Sequence, residues 1–282
     1  MTETMASGST YSLHCGSSAL LVSMPHIGTE IPPELQGGFK PRALAVEDAD
    51  WHLGQLYNFL PELGASVLMP RYARYVIDLN RPPDDAPMYP GAANTELCPT
   101  RFFTGESLYQ PGCEPSELER IARRTRYWQP YHTALADELD RIKALHGYAL
   151  LWDAHSIRSQ IPWLFEGRLP DLNVGTADGT SADASIANAV MAAVSAAQKR
   201  QGDLTSGPSH VLNGRFKGGY ITRRYGAPNA HVHAVQLEKC QLLYMQEESP
   251  FAYEPGKAAQ IQPLLKSMVS QALLACGKLY GA

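Results

Sequence analysis

Short apolar runs alternate along this chain with segments of helical periodicity, and this alternation restricts the possible folds more than any other feature. The strand signals are clearest at residues 17–24 ("SSALLVSM"), 148–155 ("YALLWDAH") and 231–238 ("HVHAVQLE"). Apolar residues recur every three or four positions at residues 116–146, 183–200 and 256–275. This order of elements predicts an α/β fold with a central mixed, mostly parallel sheet flanked by helices, formed as a single domain over residues 1–282.

Weaker signals complete the predicted order of elements. They indicate a helix near residues 48–60 and strands near 65–70, 73–79 and 208–213. Pro130 is expected to kink the helix at 116–146, and Gly147 to end it. Two long excursions, residues 83–112 and 158–182, are rich in Gly, Pro and polar residues, as functional loops often are.

Charge, hydropathy and cysteine usage exclude several classes of protein. The chain has 282 residues, a formal net charge of −4 and no basic block, so nucleic acid is not an expected partner. It has no apolar run of the ~20 residues that a membrane-spanning helix requires. The N-terminal stretch "MTETMASGSTYSLHC" does not resemble a signal peptide, and the five scattered cysteines form no CxxC pair. We therefore expect a cytoplasmic protein with no membrane association.

Chemically reactive side chains follow several of the predicted strands. His26 follows the first strand, Asn80 and Arg81 follow the run "RYVIDL", and His155 and Glu238 end two later strands. Ligands of open α/β sheets bind beyond the carboxyl ends of the strands. The sequence therefore predicts one site to which all of these residues contribute.

The two histidines of this set are candidate metal ligands. Two imidazoles and one carboxylate are a usual ligand set of hydrolytic zinc, and Glu30 and Asp50 are the candidates for the carboxylate. Asp153 lies two residues before His155, on the same side of an extended strand, and could orient its ring. The alternative interpretation is that His26 and His155 are unrelated polar residues at strand ends.

Other charged side chains are candidates for catalysis and substrate binding. Glu238 could take a proton from an attacking water, although it could also form a structural ion pair with Lys239. Four arginines follow strands or lie in glycine-rich loops: Arg81, Arg158, Arg215 and Arg223. A guanidinium matches the two oxygens of a carboxylate, so several arginines at one cleft would select a doubly acidic substrate. The alternative for each is a solvated surface charge.

Three further patterns are less specific. His231 and His233 lie two residues apart on a strand and form a weaker candidate pair of metal ligands. The serines of "HSIRS" lack a GxSxG elbow, which disfavours a serine nucleophile. The segment "GRFKGG" lacks the Walker spacing, which disfavours nucleotide binding.

Six motifs in this order resemble those of the N-formylglutamate amidohydrolases: "PHIGTEIP", "DADWH", "RYVIDLNRPPDD", "WDAHSIRSQIP", "NGRFKGGYITRRYG" and "VQLE". They extend over about residues 20–245. "DLNR" and "DAHS" are more distantly similar to the aspartoacylase and zinc carboxypeptidase lineage. The resemblance implies a phosphorylase/hydrolase-like fold. It also implies the hydrolysis of N-formyl-L-glutamate to L-glutamate and formate, the last step of one histidine degradation route.

The resemblance also implies roles for individual residues. His26 and His155 would bind a metal, Asn80 and Arg81 would hold a substrate carboxylate, and Glu238 would be the general base.

The resemblance leaves more than one candidate for the third metal ligand. The carboxypeptidase pattern has a glutamate three residues after the first histidine, where this chain has Thr29. The amidohydrolase pattern suggests Asp50 instead, with Asp48 as a further possibility. We expect one divalent metal ion, with zinc preferred, although such a ligand set also accepts iron, cobalt or manganese.

The expected substrate is a small molecule with two carboxylates. Arg158 and Arg223 are candidates for binding them, while Lys217 and Tyr220 would close over the substrate from a glycine-rich loop. Arg81 would also help to offset charge on the tetrahedral oxygen. Two rival functions are a deacylase of other N-acylated acidic amino acids and a metal-free, non-catalytic binder of acidic amino acids.

Overall fold

The strands in the described part of the chain form one seven-stranded sheet. The computed structural model describes residues 9–88, 94–200 and 207–281, with the backbone alone at 198–200. The strands are β1 (Tyr11–His14), β2 (Leu20–Ser23), β3 (Ser66–Pro70), β4 (Ala149–Ile157), β5 (Leu172–Gly175), β6 (His210–Leu212) and β7 (Val232–Cys240). Their order in the sheet is β1-β3-β2-β4-β7-β5-β6. Strands β1 and β5 run antiparallel to β3 and β7, and the remaining neighbours are parallel.

Helices connect and cover the strands. The α-helices of the described residues are α1 (Pro33–Gln36), α2 (Leu53–Leu56), α3 (Glu117–Arg123), α4 (Gln129–His146), α5 (Ala184–Arg200), α6 (Tyr220–Tyr225) and α7 (Pro255–Leu279). Short 3₁₀ segments are Pro41–Ala45, Leu60–Leu63, Ala177–Gly179, Pro228–Ala230 and Gln241–Leu243, and a π-helical turn, Arg124–Trp128, joins α3 to α4. Within the described ranges, none of these helices combines the length and apolar character that crossing a bilayer requires.

Both faces of the central strands are covered. β2, β4 and β7 are buried along their whole length, as expected for apolar strands in the parallel part of a sheet. Ser23 of β2 lies opposite Asp153 of β4, so the two share a face, where the Tyr131 hydroxyl of α4 lies 3.0 Å from the Ser23 hydroxyl. Trp152 points to the other face and donates a hydrogen bond to Tyr57 (3.4 Å). The core is therefore built on both sides of β4.

The structure confirms the predicted α/β class and the mixed sheet flanked by helices. Strands occur within or across the predicted ranges 17–24, 65–70, 148–155, 208–213 and 231–238, and helices at 116–146, 183–200 and 256–275. Gly147 ends α4 in a left-handed conformation (φ 80°), as predicted. Pro130 follows the π-helical turn that joins α3 to α4, and Trp128 and Gln129 before it keep helical backbone angles.

Two predicted elements are wrong. Residues 73–79 form a turn and not a strand: the Val76 N–H donates to Ala73 O (2.9 Å), and the Asp78 N–H donates to Leu97 O (2.7 Å). The backbone therefore pairs with itself and with the excursion, not with the sheet. The helix predicted at 48–60 is reduced to α2 and a 3₁₀ turn, because His52 adopts a left-handed conformation (φ 63°) just before α2.

Four of the strands and α-helices were not predicted. Each is only four to six residues long, too short for a periodic signal: β1, α1, β5 and α6. β5 lies inside the predicted excursion 158–182. The excursion 83–112 is irregular where it is described, and its residues 89–93, like the N-terminal residues 1–8, lie outside the described residues.

Candidate functional site

The site is built on the register of β4 and β7. His155 lies opposite Glu238 in this parallel pair, and Asp153 lies opposite Gln236, so all four side chains share one face of the sheet. His155 and Glu238 are each the seventh residue of a nine-residue strand, close to its carboxyl end. The pairing of two fully buried strands thus places an imidazole beside a carboxylate.

Loops bring two further side chains to the same point. His26 lies in the turn after β2, and its carbonyl oxygen accepts a hydrogen bond from the Asp50 N–H (2.9 Å). The carboxylate of Asp50 in turn accepts a hydrogen bond from the Ser156 N–H (3.0 Å). Asp50 is therefore held between the segment of His26 and the segment of His155.

Three potential ligand atoms converge there. The Nδ1 atoms of His26 and His155 are 3.2 Å apart, and Asp50 Oδ2 lies 3.3 Å from His155 Nδ1 and 3.8 Å from His26 Nδ1. A tetrahedral zinc with bonds of about 2.0–2.1 Å holds its ligand atoms roughly 3.3 Å apart. Among the described residues, these three are the group of His, Cys, Asp and Glu side chains with the spacing of a metal site.

Carboxylates orient both rings. Asp78 contacts His26 Nε2 (2.7 Å), and Asp153 contacts His155 Nε2 (3.2 Å), as the i, i+2 spacing of Asp153 and His155 predicted. With the Nε2 hydrogens directed at these carboxylates, both Nδ1 lone pairs face Asp50. Three electron-pair donors at this distance repel one another unless a cation or a proton lies between them.

The pKa shifts of the two histidines agree with this arrangement. Burial and the nearby guanidinium of Arg74 lower the pKa of His26, although Asp78 and Asp50 oppose the shift. Burial would also lower the pKa of His155, but Asp153, Asp50 and Glu238 outweigh it and raise that pKa to about 10. The carboxylates around His155 thus favour positive charge at its ring, and a metal ion that bound there would displace a proton.

The negative charge around the two rings exceeds the charge that nearby cations neutralise. Four buried carboxylates contribute: Asp50, Asp78, Asp153 and Glu238. Within the described ranges, only Asp78 has a Lys or Arg partner within 4.0 Å, the guanidinium of Arg74 at 2.6 Å. A divalent cation would offset this surplus, so the donor set fits a metal in charge as well as in spacing.

Glu238 is the carboxylate best placed to react. Its Oε1 atom is buried and accepts no hydrogen bond from any described residue. Burial raises the pKa of Glu238 to about 8, with Asp50 adding to the shift while His155 and Lys239 oppose it. A nearby cation would lower this pKa toward neutrality, where a general base is most effective.

A cavity open to solvent lies above these groups. Its walls are formed by His26, Arg74, Asn80, Arg81, Asn94, Thr95, Phe103, His155, Ser156, Ile157, Leu164, Arg215, Phe216, Gly219, Gln236 and Glu238. The structure therefore brings together His26, His155, Glu238, Asn80 and Arg81 as the sequence predicted, with Asp50 directly behind the histidines. The Asn80 amide nitrogen lies 3.1 Å from His155 Nε2, which places Asn80 at the edge of the ligand cluster.

The other four predicted substrate-binding residues do not line this cavity. Arg158 donates to the buried carboxylate of Asp48 (2.6 Å), which is where its charge is neutralised. Arg223 is exposed and donates to the Gly218 carbonyl oxygen (2.9 Å).

Lys217 and Tyr220 also contact groups outside the cavity. Lys217 pairs with Asp178 (3.0 Å), and both side chains are exposed to solvent. The Tyr220 ring packs against Trp128 and His132, with centroid distances of 5.7 and 5.5 Å. Neither side chain lines the cavity.

Two alternative metal ligands are also excluded by their contacts. Glu30 is on the surface and pairs with Arg71 (2.8 Å). Asp48 is buried, but its oxygens accept hydrogen bonds from Tyr75, Arg158 and the Phe103 N–H.

The weaker histidine pair is likewise not a metal site. His233 Nε2 lies 2.7 Å from the Tyr280 hydroxyl, and the exposed His231 contacts the Gly147 carbonyl oxygen. Both contacts attach neighbouring elements to the start of β7 instead of converging on a common point.

The residues of the site that were not predicted include Asp78, Arg74 and Gln236. The sequence could have indicated Asp78 as a site residue, because it is an acid within the apolar run "YVIDL". A polar residue in such a buried run is more informative about function than an exposed apolar one. Gln236 had the same signal within "AVQLE". Arg74 had none, since its role depends on the turn that replaces the predicted strand.

The sequence was compared with known families and proteins. A family model described as N-formylglutamate amidohydrolase matches residues 18–245. Two relatives named N-formylglutamate deformylase are each 50% identical to the chain. The one from Pseudomonas aeruginosa aligns over 263 residues, 93% of this chain and 95% of the relative, and the one from Pseudomonas putida over 266 residues, 94% and 96%.

The fold was also compared with solved structures. The crystal structure of an N-formylglutamate amidohydrolase from Ralstonia eutropha JMP134 superposes with a TM-score of 0.76 at 21% identity, covering 93% of this chain and 97% of that one. This likeness shows that the two chains share a fold.

Proposed function

Because this chain belongs to the N-formylglutamate amidohydrolase family, we propose that it hydrolyses N-formyl-L-glutamate to L-glutamate and formate. The names of its two 50% identical relatives support the substrate. The observation that carries the proposal is the convergence of two imidazoles and a carboxylate beside the buried Glu238, at the base of a cavity lined by arginines. We further propose that the reaction serves histidine degradation in the cytoplasm, as the resemblance implies.

We propose that His26, Asp50 and His155 hold one divalent cation, with zinc as the preferred ion. Their spacing and the surplus of buried carboxylates support this assignment. A cation bound there would act as a Lewis acid that polarises the formyl carbonyl and makes an attacking water more acidic.

Glu238 would move the proton in this reaction. Its carboxylate accepts a proton from water as the water oxygen bonds to the formyl carbon, and returns that proton to the nitrogen as the C–N bond breaks. The water oxygen ends in formic acid together with the second water hydrogen. The acid then loses this proton to give formate, and the released amine takes up one proton to give an ammonium group. The buried Oε1 atom, which no described donor contacts, supports this role.

Arg81 and Asn80 would position the substrate. The Arg81 guanidinium donates to the Thr95 carbonyl oxygen (2.9 Å) and hydroxyl (2.7 Å), which orient it at the cavity wall. We propose that it holds a substrate carboxylate and that its charge also helps to offset the charge on the tetrahedral oxygen.

The test combines elemental analysis of the purified protein with formate release from N-formyl-L-glutamate. We expect about one metal ion per chain and turnover that is lost on chelation. Glu238→Gln is expected to keep the metal and lose roughly 10²- to 10⁴-fold in kcat, because a general base contributes about that much.

Glu138→Gln is the matched control, since Glu138 is a buried glutamate that does not line the cavity. If the protein hydrolyses N-acetyl- or N-succinyl-glutamate but not the formyl compound, its function is instead that of a deacylase of other N-acylated acidic amino acids. A metal-free, inactive protein that binds glutamate would replace it with a binding function.

A further inference from the structure

Asp50 lies in an irregular segment whose backbone is held by side chains from another part of the chain. The residues directly around Asp50 form turns and bends and belong to no helix or strand. The carbonyl oxygen of Ala49, just before it, accepts a hydrogen bond from the Gln241 side-chain amide (3.0 Å). The carbonyl oxygen of Trp51, just after it, accepts one from the Tyr244 hydroxyl (2.9 Å). Both neighbours of the proposed metal ligand are therefore attached to the turn that follows β7.

The Tyr244 hydroxyl also connects this segment to β4. It lies 2.7 Å from the Ser156 hydroxyl. A phenol has one hydrogen and a carbonyl oxygen can only accept, so Tyr244 donates to Trp51 and accepts from Ser156. The Ser156 N–H in turn donates to the Asp50 carboxylate (3.0 Å). A closed circuit of hydrogen bonds thus passes from Asp50 through Ser156 and Tyr244 to the residue next to Asp50.

The circuit is shielded from water. Asp50, Ser156, Gln241 and Tyr244 are each at most 3% exposed. Hydrogen bonds are stronger in such surroundings, and a buried group that loses its partner finds no water to replace it. The position of the Asp50 carboxylate therefore depends on each attachment of its segment.

The end of β4 explains why these attachments are needed. The last pair between β2 and β4 is Ser23 with Asp153, whereas β4 continues to Ile157. Ser156 lies in this continuation, so its N–H meets the carboxylate of Asp50 and not a residue of β2. A carboxylate that reaches β4 from an irregular segment has no strand pairing to fix it, and side chains supply the fixed geometry instead.

A metal ion requires this fixed geometry, because a zinc–oxygen bond of about 2.0–2.2 Å tolerates little displacement of the ligand. Resting on the proposed function and its metal site, we propose that Tyr244 and Gln241 are positioning residues for Asp50. By fixing the backbone on either side of Asp50, they hold its carboxylate where it meets the rings of His26 and His155.

The test is a Co²⁺ titration of the metal-free protein, in which the visible absorption spectrum reports both the affinity for the ion and its coordination. Tyr244→Phe removes the hydroxyl and keeps the ring. We expect this variant to bind Co²⁺ roughly 10-fold more weakly and with an altered spectrum, as the loss of an outer partner of a ligand usually causes. Gln241→Met removes the other attachment at similar volume and is expected to act in the same direction.

Tyr131→Phe is the matched control. Tyr131 is an equally buried tyrosine, but its hydroxyl contacts the Ser23 hydroxyl (3.0 Å) and the Leu68 carbonyl oxygen (3.4 Å). Its Co²⁺ affinity and spectrum are expected to match those of the wild type. Urea unfolding of the metal-free variants reports how much each substitution destabilises the fold.

A double-mutant cycle with Asp50→Ala separates positioning from a general structural role. If Tyr244 acts through Asp50, Tyr244→Phe should change the Co²⁺ affinity of Asp50→Ala by less than about twofold. An equal loss in both backgrounds, or no loss in Tyr244→Phe and Gln241→Met, would overturn the inference. A wild type that binds no Co²⁺ would overturn the inference together with its metal site. Formate release tests the proposed function separately, because the titration needs no substrate.

Discussion

Asp78 connects more of the site than any other single residue. Its Oδ1 atom contacts His26 Nε2 (2.7 Å) and accepts a hydrogen bond from the Asn80 N–H (2.9 Å), while its Oδ2 atom accepts one from Arg74 (2.6 Å). One carboxylate therefore orients a proposed metal ligand and the backbone of a proposed substrate-binding residue. Outer carboxylates of this kind raise the basicity of the imidazole they contact.

Asp78→Asn is expected to weaken metal binding by roughly 10- to 100-fold, because the amide orients the His26 ring without supplying a negative charge. Competition with a fluorescent zinc chelator measures this affinity. Asp171→Asn is the matched control: Asp171 is also buried, pairs with Arg168 (2.6 Å) and accepts a backbone hydrogen bond from Ser209 (2.9 Å), but lies outside the cavity. Equal losses in both variants would assign the effect to general destabilisation.

His132 is expected to make stability depend on pH below neutrality. Its Nε2 lies 2.8 Å from the Leu79 carbonyl oxygen and its Nδ1 lies 2.9 Å from the Tyr225 hydroxyl, and burial lowers the pKa of His132 to about 4. Between about pH 6.5 and pH 4 the unfolded chain binds a proton that the folded protein excludes. The contribution of His132 to the free energy of unfolding is therefore fully present above about pH 6.5 and is lost as the pH falls.

Between pH 7.5 and pH 5, His132 should lower the free energy of unfolding by about 2 kcal/mol. Urea unfolding of the metal-free protein at both pH values measures this decrease in the free energy of unfolding. In His132→Gln the decrease should be smaller than in the wild type by about 2 kcal/mol. A variant with the same pH dependence as the wild type would rule out His132 as the cause.

Residue types and their positions after strands were sufficient to predict which groups meet at the site. His26, His155 and Glu238 could be chosen in this way because strand pairing determines where they lie. Two of the four candidate arginines, Arg158 and Arg223, were not placed correctly in this way, because a long side chain is directed by partners that are remote in sequence. Arg158, for example, meets Asp48 from 110 positions away, and no local pattern indicates that pair.

At the scale of the elements, the glycine-rich segment 213–219 approaches Asn80 very closely at Gly219. The Gly219 N–H donates to the Gln236 side chain (2.7 Å), and the Ile221 N–H donates to the Asn80 side chain (2.8 Å). A Cβ atom at Gly219 would lie 2.3 Å from the Asn80 amide nitrogen, far inside contact distance. Glycine is thus required there for the segment to approach Asn80.

Gly219→Ala is expected to displace the Asn80 amide from His155, to destabilise the fold by about 1–3 kcal/mol and to lower formate release more than roughly tenfold. Urea unfolding and steady-state kinetics measure the two effects. Gly256→Ala is the control, since nothing lies within 4 Å of a Cβ at this position in the first turn of α7. Wild-type kinetics in Gly219→Ala would show that the close contact is dispensable.

The elements that periodicity predicts correctly are the long ones. β4, β7, α4, α5 and α7 each bury a continuous face, so their patterns extend over two turns or more, or over a full apolar run. The turn at 73–79 was mistaken for a strand because a buried turn is as apolar as a strand. Its backbone hydrogen bonds go to a loop, and the sequence does not show such a partner.

At the scale of the whole molecule, the proposed ligands connect three distant parts of the chain. His26 follows β2, Asp50 precedes α2, and His155 lies in β4. A cation bound by all three would bind the folded chain far better than the unfolded chain, so it would stabilise the fold as a whole.

Removal of the metal by chelation is therefore expected to lower Tm by roughly 10 °C, and zinc should restore it. A metal concentration about 1,000-fold above Kd corresponds to about 4 kcal/mol of stabilisation. Differential scanning calorimetry with and without zinc measures the shift. His155→Asn is expected to abolish it, whereas His231→Asn, at an exposed left-handed position (φ 61°), should retain it.

The pairing of β4 with β7 determines where in this fold the substrate selectivity can be changed. The pairing continues from Ala149 and Val232 to Ile157 and Cys240, past His155 and Glu238, so the residues proposed to react lie within the longest strand pairing of the described residues. The walls that face the substrate come instead from irregular segments. Laboratory evolution toward other acylated amino acids is therefore best directed at wall positions such as Leu164 and Phe216, where altered selectivity need not disturb the chemistry.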